Sequence, residues 1–393
     1  MSELVPILTL NAISPSGLQR FPPERYSVGA QVHTPAAILV RSHDMRTMRI
    51  AESVHAIGRA GAGTNNIPVA EMSKRGIPVF NAPGANANAV KELVLAGMLI
   101  AARNLVPAIR FTDGLSGSEE EIEKKVEDGK KKFAGVELPQ HVLGVIGLGK
   151  VGSLVADAAI KLGMEVFGYD PEITVDAAWS LPSQVRKAHS IEEVLRSSDF
   201  VTLHVPLVDG TRNLIDAKRI ALMKASAVLL NFSRDGIVDN TAVLEALDSA
   251  RLKAYVCDFP GARLKGHPAV VATPHLGAST QEAEENCAIM VVDQVRDYLE
   301  NGNIRNAVNF PDVVMSRESP YRLGISNANV PNMVGQISTT VAQAGLNIHN
   351  MLNKSRKDMA YTLVDVDSAV PRIVIEKIAA IAGVLAVRYL PAA

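Results

Sequence analysis

The sequence has little cysteine and no marked excess of charge of either sign, and each shortage argues against a class of protein. The two cysteines, Cys257 and Cys287, lack the spacing of a metal site and suggest no disulfide framework. The formal net charge is −1 and no long basic block is present, so nucleic-acid binding has no electrostatic support. We therefore expect no metal site and no nucleic-acid partner.

Long hydrophobic runs are also missing. The most apolar stretch, residues 93–102, is far shorter than the ~20 residues that a membrane-spanning helix needs. Residues 1–14 lack the basic segment and apolar core of a signal peptide, and they predict a first strand instead. We therefore expect a cytoplasmic protein with no membrane partner.

What the chain does contain is a repeated alternation of short apolar strands and helices. Its 393 residues, 47% of them hydrophobic, suggest two or three domains with sizeable cores. Residues 1–87 carry one set of βα units, and residues 142–275 carry a second set. Each set predicts an α/β domain with a doubly wound, Rossmann-like parallel sheet. A long amphipathic helix is expected over residues 281–302.

The last part of the chain has a different pattern. Residues 303–320, which are polar and contain Pro311 and Pro320, predict a linker. Residues 321–393 then predict the order strand, helix, strand, strand, helix, strand. This order is typical of a ferredoxin-like α+β module with an antiparallel sheet and helices on one face. Because the module contains no obvious chemistry, we expect it to bind a ligand or to support assembly.

The strongest local signal is HVLGVIGLGKVG, residues 141–152, in which an apolar strand runs directly into a glycine-rich turn. The turn and the start of the following helix comprise Gly147, Gly149, Lys150, Val151 and Gly152. The first glycine permits the tight turn, the second lets the backbone approach a pyrophosphate, and the third lets the helix pack close to the strand. The helix N-terminus offers N–H groups and a positive dipole end to the phosphates. The motif therefore predicts a dinucleotide site.

Asp170 indicates which dinucleotide is bound. It ends the next predicted strand, 18 residues after Gly152 (170 − 152), near the spacing of the acid that binds the adenosine ribose. A carboxylate there accepts hydrogen bonds from ribose hydroxyls and repels a 2′-phosphate. The expected cofactor is therefore NAD rather than NADP.

Two further residues follow predicted strands at the edge where open α/β sheets bind ligands. His275 ends the strand VVATPH, and an imidazole, whose ordinary pKa is about 6.5, suits proton transfer in either direction near neutral pH. Arg234 follows the strand AVLLNFS, and its planar guanidinium can hold a carboxylate at two points. A hydrogen-bonded structural histidine and a structural ion pair are the respective alternatives.

Taken together, these motifs resemble the D-isomer-specific 2-hydroxyacid dehydrogenases, and within them the D-3-phosphoglycerate dehydrogenases that carry a C-terminal ACT domain. The resemblance covers nearly the whole chain. It is carried by LVRS (39–42), GRAGAGTNNI (58–67), NAPGANANAVKELV (81–94), GVIGLGKVG (144–152), HVPL (204–207), NFSRDGIVD (231–239) and TPHLGAST (273–280), and in the tail by NVPNMVGQI and GLNI.

The resemblance implies a domain organisation and an activity. The substrate domain would be discontinuous, residues 1–87 and 278–310, with an NAD-binding domain over residues 88–277 and a regulatory ACT domain over residues 320–393. The implied reaction is NAD-dependent oxidation of D-3-phosphoglycerate to 3-phosphohydroxypyruvate, the first step of serine biosynthesis. The implied assembly is a homodimer or homotetramer.

The resemblance also implies residue roles, beyond those of the glycine-rich motif and Asp170. Catalysis would rest on His275 and Arg234. Further cofactor contacts would come from His204, Val205, Pro206, Asp258 and Gly277. Substrate contacts would come from Arg41, Arg59, Ala60, Gly61, Asn86, Asn88 and Lys91, whose cations suit a phosphorylated substrate. An amino-acid effector such as L-serine would be held by Asn327, Asn329 and Asn347.

Two departures from the family pattern leave alternatives open. The glutamate that usually pairs with the catalytic histidine is expected near Gly261, Ala262 or Arg263, and none of these is acidic. Asn327 stands where a histidine is frequent, so the tail is interpreted either as a serine site or as an assembly module without a ligand. The alternatives for the whole chain are a dehydrogenase for unphosphorylated acids such as glycerate or lactate, and a corepressor-like NAD(H) sensor with little turnover.

Overall fold

The computed structural model describes residues 4–392, which form two compact units, residues 4–86 with 281–392 and residues 87–280. In chain order the strands are β1 (Val5–Leu10), β2 (Tyr26–Gly29), β3 (Ala37–Val40), β4 (Ala56–Arg59), β5 (Val79–Phe80), β6 (Val142–Ile146), β7 (Glu165–Tyr169), β8 (Arg186–Lys187), β9 (Phe200–Leu203), β10 (Val228–Asn231), β11 (Ala254–Cys257), β12 (Val270–Ala272), β13 (Tyr321–Ala328), β14 (Ile348–Arg356), β15 (Met359–Val366) and β16 (Val384–Pro391). The helices are α1 (Pro15–Leu18), α2 (Val69–Lys74), α3 (Ala87–Ala102), α4 (Leu105–Asp113), α5 (Glu119–Gly129), α6 (Lys150–Lys161), α7 (Val175–Trp179), α8 (Ile191–Ser197), α9 (Ala217–Ile220), α10 (Asn240–Asp248), α11 (Gln281–Asn301), α12 (Met333–Gln343) and α13 (Arg372–Ala379).

The first unit contains a parallel sheet in the order β2-β1-β3-β4-β5. The long helix α11 packs on this sheet, as its amphipathic pattern predicts. A Cβ atom at Gly58 of β4 would lie only 2.8 Å from methyl carbons of Val291 and of Val295. The absence of a side chain at Gly58 therefore allows the helix and the strand to approach closely.

The second unit is built on a parallel sheet in the order β12-β11-β10-β9-β6-β7-β8. Its central strands β9 and β10 are buried at every position, as expected for a sheet with helices on both faces. The chain order reverses between β6 and β9, which is the topological switch point of a doubly wound fold. The predicted Rossmann-like architecture is confirmed.

Helix α3 belongs to the core of this second unit. Val94, Met98 and Ala102 on it are fully buried. Within residues 4–392, no single helix is both long and apolar enough to span a membrane, although α3 and α4, bent by 66°, meet that length and composition as a pair.

The tail forms a separate antiparallel sheet in the order β14-β15-β13-β16, which confirms the predicted ferredoxin-like order of elements. Helices α12 and α13 pack on one face of this sheet. On the other face, Tyr361 and Leu363 of β15 share a core with Tyr298 of α11 and with Phe310. The strand β15 is therefore covered on both faces, whereas most of β14 is exposed or half-buried.

The prediction of a linker over residues 303–320 is wrong. Phe310, Val313 and Met315 enter the core of the first unit, and Ile304 pairs with Val313 in a short antiparallel bridge. Polar side chains of the segment form local hydrogen bonds. Asn303, for example, donates to Asp297. The polar composition reflects this local bonding rather than exposure to solvent.

A buried ion pair fixes the tail to the end of α11. Arg322 of β13 donates to both carboxylate oxygens of Asp365 at 2.6 and 2.8 Å, and both side chains have no exposed surface. The same guanidinium donates to the carbonyl oxygens of Asn301, Met315 and Ser316 at 2.8 to 3.0 Å. One side chain therefore joins the tail, the last turn of α11 and the segment between them.

Candidate active site

The loops that follow β6 and β9 meet at the switch point of the second unit. Gly147 has φ +92°, and a Cβ atom there would lie 2.6 Å from the carbonyl oxygen of His204. Only glycine fits this position, because both the positive φ and the neighbouring backbone exclude a side chain. The first glycine of the motif therefore makes the tight turn that was predicted for it.

The other two glycines of the motif meet different surroundings. A Cβ atom at Gly152 would lie 1.9 Å from the carbonyl oxygen of Gly147, so this glycine permits helix α6 to approach the turn. A Cβ atom at Gly149, the N-cap of α6, would meet nothing within 4 Å. Gly149 therefore adjoins open space at the helix N-terminus, where a pyrophosphate would be held.

Asp170 lies beside the same loop. One carboxylate oxygen accepts a hydrogen bond from the backbone N–H of Leu148 at 2.8 Å, and the other accepts from Glu172 N–H at 2.9 Å. The acid is thus fixed between the glycine-rich turn and the end of β7. This is the position from which a carboxylate binds the adenosine ribose of NAD.

His204, Val205 and Pro206 follow β9. The Nε2 atom of His204 lies 3.0 Å from Thr202 Oγ1, and burial lowers the pKa of His204 to about 3. The imidazole is therefore neutral at physiological pH. The carbonyl oxygen of Val205 accepts from Ser233 Oγ at 3.1 Å, so this loop is tied to the one after β10.

Arg234 stands in the loop after β10, and the buried amide of Asn231 shapes that loop. Asn231 Nδ2 donates to the Arg234 carbonyl oxygen at 2.9 Å, and Asn231 Oδ1 accepts from Ser233 N–H at 3.2 Å. Among the described side chains of residues 87–280, no carboxylate forms an ion pair with Arg234, and its Nη1 donates to the Ser233 carbonyl oxygen at 2.7 Å. The remaining N–H groups of the guanidinium are available for an anionic ligand.

The loop that carries His275 is fastened by Asp258, which is 1% exposed. One carboxylate oxygen of Asp258 accepts from Thr273 Oγ1 at 2.6 Å and from Leu276 N–H at 2.7 Å. The other accepts from Gly277 N–H at 2.8 Å. Asp258 was predicted as a cofactor contact; the structure engages both of its oxygens in holding this loop.

His275 itself adopts φ +58°, in the left-handed region that non-glycine residues rarely occupy. Its ring lies 5.2 Å from that of Phe259, centroid to centroid. Among the carboxylates that the structure describes in residues 87–280, none pairs with the imidazole, and Arg263, at the expected position of the missing acid, donates to Thr241 Oγ1 at 2.9 Å. The structure therefore leaves residues 261–263 without an acidic side chain to pair with His275, in contrast to the glutamate of the family pattern.

The two catalytic candidates lie on the same edge of the sheet. Asn231 of β10 is opposite Cys257 of β11, and Cys257 is opposite Ala272 of β12. Since adjacent strands are about 4.8 Å apart, the ends of β10 and β12 are separated by roughly 10 Å. Arg234 and His275 each stand three residues after these two strand ends.

In the first unit, Arg41 and Arg59 lie at adjacent strand ends, and they are held differently. Arg41 forms an ion pair with Glu284 at 2.6 Å. The guanidinium of Arg59 lies against Gly61: a Cβ atom on Gly61 would be only 1.6 Å from Arg59 Nη1. Ala60, between Arg59 and Gly61, is buried and donates its N–H to the Val40 carbonyl oxygen at 2.8 Å.

The predicted substrate residues at the start of α3 form a local network. Lys91 Nζ donates to Asn88 Oδ1 at 2.5 Å, and Asn88 Nδ2 donates to Glu92 at 2.8 Å. Asn86 immediately precedes α3 and is half-buried. Glu92 therefore offsets part of the positive charge that was expected of Lys91.

The three tail asparagines do not gather at one place in a single chain. Asn327 lies near the end of β13, and Asn329 follows it and donates to the Lys357 carbonyl oxygen at 2.9 Å. Asn347 precedes β14, whose first residue pairs with Val366 at the far end of β15. Asn327 is 1% exposed and its Oδ1 has no hydrogen-bond partner. A site that uses all three residues needs more than one tail.

Sequence reasoning missed the residues that position the others. Asn231, Ser233 and Thr273 all bond to the loops that carry Arg234 and His275. Their signals in the sequence are their places at the ends of predicted strands and inside the motifs NFSRDGIVD and TPHLGAST.

Comparison with known proteins gives a consistent set of matches. Residues 98–277 match a family model described as D-isomer specific 2-hydroxyacid dehydrogenase, NAD binding domain. The D-3-phosphoglycerate dehydrogenase of Methanocaldococcus jannaschii is 37% identical over 306 residues, 76% of this chain and 55% of that protein. The Escherichia coli K12 enzyme of the same name is 33% identical over 353 residues, 86% of this chain and 82% of that protein. This chain spans about half the length of the first two relatives it matches, 55% and 51%.

Solved structures give the same fold. The TT0316 protein of Thermus thermophilus has a TM-score of 0.63 and 26% identity, and the match covers 77% of this chain and 99% of that one. NAD⁺-bound 3-phosphoglycerate dehydrogenase of Entamoeba histolytica has a TM-score of 0.59 and 23% identity, covering 78% of this chain and 99% of that one.

Proposed function

Because this chain belongs to the D-isomer specific 2-hydroxyacid dehydrogenase family, we propose that it oxidises D-3-phosphoglycerate to 3-phosphohydroxypyruvate with NAD. The observation that carries the proposal is that the loops carrying Arg234 and His275 follow β10 and β12, at the carboxyl edge of the same parallel sheet whose switch point lies between β6 and β9. The name of the Escherichia coli relative, 82% of which this chain covers, supports the phosphorylated substrate.

The roles of the residues follow from their chemistry. When bound, NAD⁺ accepts a hydride from the carbon that carries the hydroxyl. The imidazole of His275 takes the hydroxyl proton, so that the carbon–oxygen bond becomes a carbonyl. The guanidinium of Arg234 holds the substrate carboxylate at two points and polarises the developing carbonyl. In the reverse direction His275 returns the proton.

The nucleotide is held by residues that fit it. Open space above Gly149 lies at the N-terminus of α6, and Asp170 is fixed beside the same turn. No basic side chain is needed to hold the pyrophosphate, because backbone N–H groups supply the donors. We propose that Asp258 and Asn231 act as positioning residues, since their polar atoms bond to the loops that carry His275 and Arg234.

The class of substrate rests on the cations. Arg59 and Lys91 support a phosphorylated acid, whereas the ion pair between Arg41 and Glu284 reduces what Arg41 offers to a phosphate. A dehydrogenase for unphosphorylated acids such as glycerate is therefore the nearest alternative.

A second candidate is an NAD(H) sensor with little turnover. It is favoured by one observation, the absence of an acid at residues 261–263, where a glutamate usually supports the histidine. The N–H donors that Arg234 has left for an anion argue against it, since a sensor without turnover has no need to hold a substrate carboxylate.

We propose an effector role for the tail with less structural support. The buried, unpartnered Oδ1 of Asn327 suits an amino-acid ligand, but Asn347 lies at the other end of the sheet. An L-serine site would therefore join two tails in a homodimer or homotetramer.

The experiment that tests these proposals measures NADH oxidation by the purified protein. Substrates are 3-phosphohydroxypyruvate and hydroxypyruvate, each with and without L-serine. A strong preference for the phosphorylated acid is expected. Preference for hydroxypyruvate would move the protein to the unphosphorylated class, and NADH binding without turnover of either acid would favour the sensor.

A further inference from the structure

A cleft lined by residues from the tail and from the first sheet contains several cations that the proposed reaction does not use. The tail approaches closely at Gly76, where a Cβ atom would lie 2.8 Å from the Cβ of Ala386 on β16. The hydroxyl of Ser326 donates to the Gly76 carbonyl oxygen at 2.9 Å, so the contact is fixed on both sides.

A cavity of about 370 Å³ is lined by residues from both sides of this contact. Arg75, at the C-terminus of α2, donates to the carbonyl oxygens of Ile50 and Ala51 at 3.0 and 2.7 Å. Each guanidinium carries five N–H donors, so this arginine is held in place while other donors remain.

Arg388 lines the same cavity from the tail strand β16. It donates to the carbonyl oxygens of Tyr298 and Leu299 at 2.9 and 3.1 Å, and its guanidinium carbon lies 4.6 Å from the centre of the Tyr298 ring. His55 also lines the cavity, and burial together with Arg388 lowers the pKa of His55 to about 4. The imidazole is therefore neutral and close enough to Arg388 to sense its charge.

A second cavity of about 610 Å³ shares two lining residues, Glu52 and Arg75, with the first, and it adds Arg49. Within residues 4–86 and 281–392, none of the three arginines that line the two cavities, Arg49, Arg75 and Arg388, forms an ion pair. The two cavities thus hold three arginines against the single carboxylate of Glu52, in a chain whose formal net charge is −1. None of their lining residues belongs to the predicted cofactor, substrate or effector sets.

We propose that these two cavities form one further ligand site, for a small metabolite that carries two phosphate or carboxylate groups. Arg75 and Arg388 are held by backbone carbonyls with donors to spare, which suits fixed, multipoint binding of oxyanions. Because Arg388 comes from the tail and Arg75 from the first sheet, such a ligand strengthens the contact between them.

The test is calorimetric titration of the full chain with pyrophosphate, and separately with citrate, in buffers of matched ionic strength. Saturable binding of one ligand per chain is expected, and the arm that binds tells whether phosphate or carboxylate is preferred. Bound anion is also expected to raise the pKa of His55 above its free value of about 4, which histidine NMR signals report.

Substitutions of opposite effect make the test specific. Glu52→Gln removes the one negative charge and should tighten binding by about threefold to tenfold, whereas Arg49→Gln and Arg75→Gln should each weaken it by a similar factor. Arg305→Gln, which removes an exposed arginine outside both cavities, is the matched control and should change nothing. The proposal fails if neither anion binds at millimolar concentration, or if Arg305→Gln weakens binding as much as Arg49→Gln.

Discussion

Arg322 and Asp365 stand directly opposite each other on the antiparallel strands β13 and β15, joined by two hydrogen bonds and wholly shielded from water. A buried pair of this kind is strongly destabilised when one partner is removed, because the other charge is left uncompensated. The pair also carries the contacts of the tail to the end of α11. Because both partners belong to the tail, the pair stabilises the tail sheet, and the carbonyl contacts of Arg322 attach that sheet to the end of α11.

Asp365→Asn is expected to lower the free energy of unfolding by about 3–5 kcal/mol, since Arg322 keeps its charge without its partner. The double substitution Arg322→Met with Asp365→Leu should recover most of that loss, because both charges are then absent. Urea midpoints of the three proteins check this. A double variant as unstable as the single one would show that the carbonyl contacts of Arg322 matter more than the pair.

Gly149→Ala and Gly152→Ala are a matched pair of substitutions in the glycine-rich turn. The first places a methyl group in open space, so stability should be unchanged while NADH affinity falls tenfold or more. The second puts its methyl group 1.9 Å from the Gly147 carbonyl oxygen, so it should lower the melting temperature. Fluorescence titration with NADH and thermal unfolding separate the two. Unchanged NADH affinity in Gly149→Ala would place the pyrophosphate elsewhere.

Asp258→Asn is expected to loosen the loop that carries His275. An asparagine amide presents an NH₂ group where one carboxylate oxygen accepts from Leu276 or Gly277, so one backbone donor loses its partner at a cost of about 1–3 kcal/mol. We expect kcat to fall while the Kd for NADH changes little. Thr273→Val, which removes a single hydrogen bond to the same carboxylate, is the milder comparison. A large loss of NADH affinity would instead support the predicted cofactor contact.

Arg234→Lys keeps the positive charge and removes the planar fork. Turnover should fall by roughly 10²–10³, because one primary ammonium group cannot hold a carboxylate and polarise the adjacent carbonyl together. NADH affinity should stay the same. Steady-state kinetics and NADH titration check both, and a variant with full turnover would remove Arg234 from catalysis.

The buried histidine after β9 predicts a pH dependence of stability. The pKa of His204 is about 3 in the folded chain and about 6.5 when unfolded, so between these values the unfolded chain binds a proton that the folded chain does not. Stability is therefore retained above about pH 6.5, and it falls as the pH is lowered, by at most about 1.4 kcal/mol per unit from this group. His204→Gln should make the urea midpoint less sensitive to pH between about 5 and about 7. Parallel curves for both proteins would contradict this.

The nucleotide-binding half could be predicted because its signals are local. The turn, the start of α6 and the acid at residue 170 follow one another along the chain, and each glycine meets a neighbour set by its own βα unit. Arg234 and His275 were found for the same reason, since each follows its own strand.

What the sequence did not reveal depends on partners far apart in the chain. Asp258 and Asn231 look like ordinary residues at strand ends, and only the adjacency of β10, β11 and β12 brings them to the loops they hold. Arg322 resembles a solvated charge on a strand until β15 supplies Asp365, 43 residues later. Phe310, Val313 and Met315 likewise enter a core to which Tyr361 and Leu363 of the tail contribute.

The burial of strand β15 on both of its faces decides whether the tail can be removed without damage to the rest of the chain. In many multidomain proteins an accessory module can be deleted or exchanged, and the remaining domains still fold. Here Tyr361 and Leu363 complete a core that includes Tyr298 and Phe310. Truncation of the chain before residue 321 would therefore expose part of the core of the remaining unit to solvent. Loss of the tail would thus damage the core of the first unit itself, and a shortened protein that fails to turn over would reveal nothing about regulation.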